Sequence, residues 1–562
     1  MRIMSNDEMS EVAHTTVDHR NLEQKPNGGD VDVPAQNHPA EESVECEQYP
    51  PTWEAVLLTI GLFLSFFCLC LDQTILATAM PRITDEFHSL DDIGWYSSSY
   101  LVAMSAVKML WGKLYTFYPA KWMFLIGLFI FEVGSLICGL APNSVALILG
   151  RCIAGLGGSS IDSGAIIIIT YIVPLHKRAM FMSILGSVRG ITAAAGPPLG
   201  GVLTDKATWR WCFYINLPCG AITCLCVFIL LRPKGTPPAA MMTAKEKFRN
   251  IDPIGSCLLI LGISLLLVAL QWGGSTYPWS SWRVIILLTI SGVSLVIFCG
   301  VEIWLKDQAA IPPRIVKDRN IIAALWYVSM STGALYIFIY YLPLWFQSIK
   351  GVTATQSGVM LLPTEVGIVV FALMGGFLVT IVGYYTPLLC LSSILSSTGA
   401  GLLSTLQTDS GTGQWLGYQV LLSSGAGLGA QNALLVPQVA LPPDDIIMGI
   451  TILTFAQVLM GSVTLAIGES VFRGRLTSNL GAATSSMEHP LMLEGATVPW
   501  EKVPTRLVPA VLESYNRSIS QTFYLGVAMF SLSLLGSVSL QWKSTRVKKP
   551  EQNTTAGPSS SD

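Results

Sequence analysis

Charged side chains are scarce in this 562-residue chain: Asp, Glu, Lys and Arg together make up 12% of it, against about 25% in an ordinary soluble domain. With 51% hydrophobic residues, that scarcity argues against a soluble enzyme and against a disordered or collagen-like chain. A basic excess is also missing. The net charge is −3, so no nucleic-acid-binding face is expected. Histidines number only 6, and the 12 cysteines form no CxxC pair. Most of them, such as Cys68, Cys70, Cys138, Cys224, Cys226 and Cys299, sit inside apolar runs and read as small core residues. Gly155-Leu156-Gly157 lacks the GK[ST] ending of a phosphate loop. Neither a nucleotide nor a metal is therefore expected as a partner.

What the chain has instead is long apolar runs. A bilayer-crossing helix needs roughly 20 mostly apolar residues. Fourteen such stretches occur, near 55–78, 93–112, 122–140, 145–170, 179–203, 212–231, 254–271, 283–305, 321–345, 356–379, 386–405, 415–440, 446–468 and 522–541. They are too long and too uniformly apolar for the alternating strands of a membrane barrel. The expectation is an all-α membrane protein with lipid around it. Residues 1–50 are polar and acidic, with Arg2, Arg20 and Lys25 as their only Lys or Arg. They read as a disordered tail, not a cleaved signal.

Loop charge orients the spans. With the N-terminus inside, cytoplasmic loops hold Lys113, Lys121, Lys177, Arg178, Arg232, Lys234, Lys245, Lys247, Arg249, Lys306, Arg314, Lys317 and Arg319, and the C-terminal tail adds Lys543, Arg546, Lys548 and Lys549. Short outer loops hold only Arg82, Lys206, Arg210, Arg283 and Lys350. Both ends are then cytoplasmic. Asn516-Arg517-Ser518 becomes the outer glycosylation candidate, at Asn516.

An internal echo runs through the chain. WGKLYTFYPAK at 111–121 and GGFLVTIVGYYTP at 375–387 each follow an even-numbered span. The Gly-rich fourth span (Gly150, Gly155, Gly157, Gly158) is matched by the Gly-rich twelfth (Gly425, Gly427, Gly429). Such repeats are the usual build of secondary transporters, although small residues recur in any packed membrane bundle. The simplest division is a cytoplasmic tail at 1–50, a six-helix bundle at 51–232 and a two-helix spacer with cytoplasmic loops at 233–320. A second six-helix bundle follows at 321–542, including an outer loop at 472–521, and then a tail at 543–562.

Four stretches carry a family likeness: LDQTILATAMP (71–81), GRCIAGLGGSS (150–160), GPPLGGVLTD (196–205) and WRWCFYINLP (209–218). LVPAVLESYNRSISQTFYL (507–525) adds to it. With these the chain resembles the major facilitator superfamily, in particular the fourteen-span drug:proton antiporter branch in its fungal toxin and multidrug efflux form. The resemblance covers about 50–542. It implies two six-helix bundles plus two extra helices and proton-driven export of a small amphipathic organic molecule, such as a secondary metabolite, toxin or drug. It also implies a monomer without a cofactor, in the plasma membrane or alternatively the vacuolar membrane. A same-fold importer, for a siderophore or a vacuolar basic amino acid, and a non-transporting receptor are the rival readings. The chain departs from the family pattern at Thr116, where an acidic residue is usual. Pro119, Ser183 and Thr192 stand where glycine is usual.

An ionisable residue in mid-span costs at least roughly 2.5–3.5 kcal/mol, so each is a functional candidate. At about 1.5 Å per residue, Asp72 in the first span and Arg151 in the fourth lie at equal depth with opposite charge. The resemblance assigns these positions to proton coupling, and a permanent structural ion pair is the alternative. Arg189 in the fifth span and Glu365 in the tenth are both mid-span, where the family usually has uncharged residues. They are expected either to pair across the seam between the bundles or to face water separately. Glu132, central in the third span, suits a structural hydrogen bond or proton carriage. Asp162 is expected toward a cytoplasmic vestibule, and Lys108 is expected to snorkel to the interface. Gly196-Pro197 with Pro198 is expected to kink the fifth span, because proline removes a backbone donor. Gly200 and Gly201 should then allow close helix contact. Tyr336, Tyr340, Tyr341, Trp345 and Phe346 read as an interfacial belt, with a substrate-binding wall as the alternative. Gln431, Asn432, Gln438 and Gln457 are expected to line the cavity.

Overall fold

The computed structural model describes residues 51–88, 92–232, 243–274, 277–483 and 507–545. The tail expected at 1–50 and all but three residues of that expected at 543–562 fall outside them. The described residues build a helical protein in which the only β pairings are two isolated bridges, Gly273 with Tyr277 and Tyr384 with Ser544. In chain order the helices are α1 (Thr52–Thr74), α2 (Leu76–Phe87), α3 (Ile93–Ala106), α4 (Lys108–Phe117), α5 (Ala120–Leu140), α6 (Ser144–Ile172) and α7 (Leu175–Lys206). Next come α8 (Trp211–Tyr214), α9 (Asn216–Leu230), α10 (Ala244–Asn250), α11 (Pro253–Trp272), α12 (Trp282–Leu305) and α13 (Pro313–Val316). The second half holds α14 (Arg319–Lys350), α15 (Ala354–Val382), α16 (Thr386–Leu403), α17 (Thr412–Ala430), α18 (Val436–Ala440), α19 (Ile446–Ala483) and α20 (Val508–Ser539).

Local chemistry sets several of these boundaries. The Asn143 side chain accepts from the Ala146 amide and opens α6. Asp318 accepts from the Asn320 and Ile321 amides and opens α14, and Thr353 with Gln356 forms a capping box on α15. Gly351 and Gly383 close α14 and α15 with φ of 64° and 82°, a left-handed geometry that glycine adopts without a Cβ clash.

Twelve described helices are long and apolar enough to cross a membrane. The other two expected stretches are interrupted. The second breaks at Val107, between α3 and α4. The twelfth passes from α17 through a 3-10 turn (Asn432–Leu435) into α18, where Pro437 sits. α12 leaves Val296, Ile303 and Trp304 more than two-thirds exposed, so lipid is the cover that suits it. In α6, by contrast, 83% of the most apolar stretch is buried inside the protein. It runs through the centre of the first bundle.

The two halves share one packing pattern. In the first, α1 packs on α6, α7 and α9, α5 on α6 and α9, and α3 on α6. In the second, α14 packs on α17, α19 and α20, α16 on α17 and α20, and α15 on α17. Matching the six spans of each half in order maps the first set onto the second. The halves meet along α7 against α15 and α4 against α19, and that mapping exchanges these two contacts as well. α11 and α12 pair with each other, and α11 docks on α3 and α19.

The segment expected as an outer loop at 472–521 is mostly helix at its two ends. α19 continues to Ala483 and α20 begins at Val508. Phe472, Leu476 and Leu480 pack there with Val511, Tyr515 and Ile519. Apolar burial carries both helices on past the hydrophobic spans. Tyr341, Trp345 and Phe346 are buried in the same cluster, so they form core, not an interfacial belt. Asn516 corrects the glycosylation expectation. It is 5% exposed, accepts from Trp345 Nε1 at 2.7 Å and donates to the Leu406 carbonyl at 3.2 Å. No room remains for a glycan on its amide.

Candidate functional site

The structure places two ion clusters in the first bundle, and α6 contributes to both. Nearer the end away from the Lys/Arg-rich loops, the Arg151 guanidinium pairs with the Asp72 carboxylate. Each residue is 1% exposed. Arg151 Nε also donates to the Tyr96 carbonyl at 2.9 Å, and the guanidinium lies 4.5 Å from the Tyr100 ring centre. Asn216, in the INLP part of 209–218, donates to Ser135 Oγ at 3.2 Å and lies 3.5 Å from Asp72 Oδ1. Arg151 of α6 and Asn216 of α9 thus reach the carboxylate of α1, and residues of α3 and α5 hold those two in turn. Depth along the helices pairs Asp72 with Arg151, whereas Asn216 carries no charge that would mark it in the sequence as their neighbour.

Helix α1 gives way to α2 at Ile75, three residues beyond Asp72. The glycines of α7 seat that joint. A Cβ on Gly196 would come 2.2 Å from Thr74 Oγ1, and one on Gly200 would come 2.5 Å from the Ile75 carbonyl oxygen. Thr74 donates to the Thr192 carbonyl at 3.1 Å. Gly201 does not share this role, since nothing lies within 4 Å of a Cβ built there. α7 continues as one helix through Gly196-Pro197-Pro198.

Above this joint the motif 209–218 clasps α2. Trp209 Nε1 donates to Glu86 Oε2 at 2.7 Å and Arg210 Nη2 to Glu86 Oε1 at 2.8 Å. The Arg210 guanidinium, with the Trp209 N–H behind it, holds the Glu86 carboxyl below its ordinary pKa of 4.5.

The second cluster is a triad. Asp162 of α6 is buried between two cations: Lys108, the first residue of α4, on Oδ2, and Arg189 of α7, whose Nη2 donates to Oδ1 at 2.6 Å. Lys108 is fully buried, so it does not snorkel, and Asp162 serves as counter-ion to both. Arg189 is different, because its side chain is 44% exposed. It lies 5.1 Å over the Phe66 ring of α1, and Tyr336 of α14 is close enough to interact electrostatically with it. It is flanked by Gly186 and Gly190, which pack on Gln431 and on Val369 with the Glu365 backbone. Arg189 therefore looks into the space between the halves.

Glu365 does lie across the expected seam, where its carbonyl is 2.9 Å from a Cβ built on Gly190. The expected ion pair is not the one formed. Arg189 bonds Asp162, and Glu365 is buried with no ion pair among the described residues. Glu132 lies against Gly220 of α9, and neither carboxyl oxygen has a hydrogen-bond partner among the described residues. The structural hydrogen bond considered for it is thus not seen. Asn432 and Gln438 each donate to a carbonyl four residues earlier and leave an oxygen buried without a partner.

Comparison with known proteins gives one answer. The sequence pattern of the Major Facilitator Superfamily matches residues 62–465. The chain is 51% identical to the MFS-type transporter ungB of Aspergillus violaceofuscus, covering 88% of this chain and 90% of that protein. It is 49% identical to the efflux pump roqT of Penicillium rubens, over 90% and 93% of the two chains. It is 42% identical to the MFS-type efflux pump MFS1 of Arthroderma benhamiae, over 94% and 99%. In fold it is similar to the human organic anion transporter MFSD10, with a TM-score of 0.54 at 13% identity, over 86% of this chain and all of that one. The span pattern, the paired bundles and these matches together place the chain in the Major Facilitator Superfamily, as a multi-pass membrane transporter without a chemical reaction to catalyse.

Proposed function

We propose that this chain exports a small amphipathic organic molecule, a secondary metabolite, toxin or drug, in exchange for protons. The observation that carries the reading is near full-length identity of 49% to a protein named an efflux pump. The chain would act as a monomer in the plasma membrane, with the proton gradient as its only energy source and no cofactor. Twelve uninterrupted helices and the two broken ones, 93–117 and 412–440, supply fourteen spans. Six belong to each bundle, and α11 with α12 forms the spacer.

Transport follows from rocking the bundles along α7–α15 and α4–α19. A proton entering from outside neutralises Asp72, which frees Arg151 and changes the relative energy of the two states. Glu132, whose carboxyl has no donor on it among the described residues, is a second proton acceptor. Glu365, at the seam, is a gating residue.

The test is accumulation of a panel of acidic and basic aromatic compounds in drug-sensitive yeast expressing wild type or Asp72→Asn. Wild type should lower accumulation, and both a protonophore and Asp72→Asn should abolish that effect. Raised accumulation would indicate import. Unchanged accumulation of every compound tried, with binding retained, would indicate a receptor. Equal flux in sealed vesicles with and without a pH gradient would end the coupling claim.

A further inference from the structure

The Lys108–Asp162–Arg189 triad is unbalanced. One carboxylate answers two cations, and all three charges sit mid-bundle, where an unmatched charge is costly. The imbalance is not spread evenly. Lys108 is sealed from solvent, whereas nearly half of the Arg189 side chain is open to the space between the bundles. A guanidinium carries five N–H donors. Among the described residues the Arg189 guanidinium makes one hydrogen bond, to Asp162 Oδ1 at 2.6 Å. Its other donors have no partner among the described residues, and its face rests 5.1 Å from the Phe66 ring. The Tyr336 phenol of the second bundle is close enough to interact electrostatically with the same group. Glu365 of the second bundle lies at this seam and forms no ion pair with Arg189 among the described residues.

The geometry points to Arg189 as the cargo-recognition residue of this transporter, selecting molecules that present an acidic group, such as a carboxylate or an ionised enol, beside an aromatic or apolar body. Asp162 and Lys108 are positioning residues. Asp162 holds the guanidinium through Nη2, and Lys108 occupies the other carboxylate oxygen, so the remaining N–H groups of Arg189 are left for a second acceptor. A planar fork matches a carboxylate with two parallel bonds. Phe66 then supplies an apolar wall on which an aromatic ring can lie. A neutral cargo of equal size would leave the net positive charge unanswered, which is how a site of this kind discriminates.

This inference rests on the reading of the chain as a carrier of small organic molecules. It is tested by binding alone, so failure of export and failure of acid recognition give separate results. Purified full-length protein in lipid nanodiscs is titrated calorimetrically at pH 7.5 with 1-naphthoate and with methyl 1-naphthoate. Wild type is expected to prefer the acid by at least tenfold, about 1.4 kcal/mol. Arg189→Gln leaves Lys108 and Asp162 as a balanced pair and should bring the ratio to about one. Arg189→Lys keeps the charge without the fork and should retain part of the preference. Equal binding of acid and ester by wild type, preference for the ester, binding of neither, or a preference that survives in Arg189→Gln would each overturn the assignment. If Arg189→Gln is not recovered folded, Arg189→Lys carries the test, and an undiminished preference there would overturn it.

Discussion

The two ion clusters share α6, since Arg151 and Asp162 stand eleven residues, or about 16 Å, apart on that helix. They are built to opposite specifications. Asp72–Arg151 is one charge against one, each 1% exposed, with Tyr96, Tyr100 and Asn216 closing the remaining directions. Lys108–Asp162–Arg189 is two against one, and its surplus charge is turned into the space between the bundles. A balanced, sealed pair resists solvent and holds one conformation until a proton or a rearrangement breaks it. An unbalanced, open triad has an interaction left to make. The same residue types in the same bundle therefore suit a switch in one place and a contact surface in the other.

The largest expected effect comes from removing the one anion of the triad. Asp162→Asn leaves Lys108 and Arg189 without a counter-charge. Breaking a buried pair by deleting one partner costs about 3–5 kcal/mol, and here two cations are stranded and repel each other. Apparent melting temperature in detergent should fall further for Asp162→Asn than for Asp72→Asn, which strands only Arg151. Arg189→Gln should fall little, because it leaves one charge against one. If Arg189→Gln melted as low as Asp162→Asn, the balance argument for the triad would be wrong.

That ordering bears on how much a sequence alone discloses. Asp72 and Arg151 were matched by depth, and depth is what a helix makes easy, since rise is linear in residue number. The same rule suggested Arg189 with Glu365, and there it misled. Depth does not fix which way a side chain points around the helix axis, and long side chains reach across turns. Taken singly, Asp162 suits a vestibule and Lys108 an interface. Put side by side as opposite charges on neighbouring spans of one bundle, they would have suggested each other. Tyr341, Trp345, Phe346 and Asn516 mislead for a related reason. Composition marks a membrane interface, but only the tertiary contact of α14, α19 and α20 shows that this face is inside. The fold itself was legible, because length and apolarity of a span are properties of a single segment.

A smaller effect should separate the sealed site from the open one. Gly200→Ala forces a Cβ to within 2.5 Å of a backbone oxygen at the α1–α2 joint, whereas Gly201→Ala meets open space. Overpacking of this kind costs typically about 1–3 kcal/mol. Thermal stability should fall for Gly200→Ala and stay level or rise slightly for Gly201→Ala, since alanine favours helix. Binding of 1-naphthoate by folded Gly200→Ala should remain near wild type, because Arg189 is anchored by α6 and not by that joint. Loss of stability in both variants alike would remove the joint from the account of the sealed site.

The smallest effect lies at the rim. Motif 209–218 reaches both ways, with Asn216 beside Asp72 and Trp209 with Arg210 clasping Glu86. Glu86 is held below its ordinary pKa of 4.5, first by Arg210 and then by Trp209. A depressed carboxylate stabilises the folded state above its unfolded pKa, and that contribution fades as pH falls through the lower folded value. Glu86 and Arg210 are both partly open to water, so the charge part is worth about 0–1 kcal/mol. Wild type should melt slightly above Glu86→Gln at pH 7, and the gap should close below pH 4.5 and in high salt. The sealed Asp72–Arg151 pair, shielded from solvent ions, should show no such salt dependence. A gap for Glu86→Gln that persists in acid and in salt would mean that the clasp works through the neutral Trp209 hydrogen bond and ring packing. The outer rim would then be a mechanical brace for the sealed pair and not an electrostatic one.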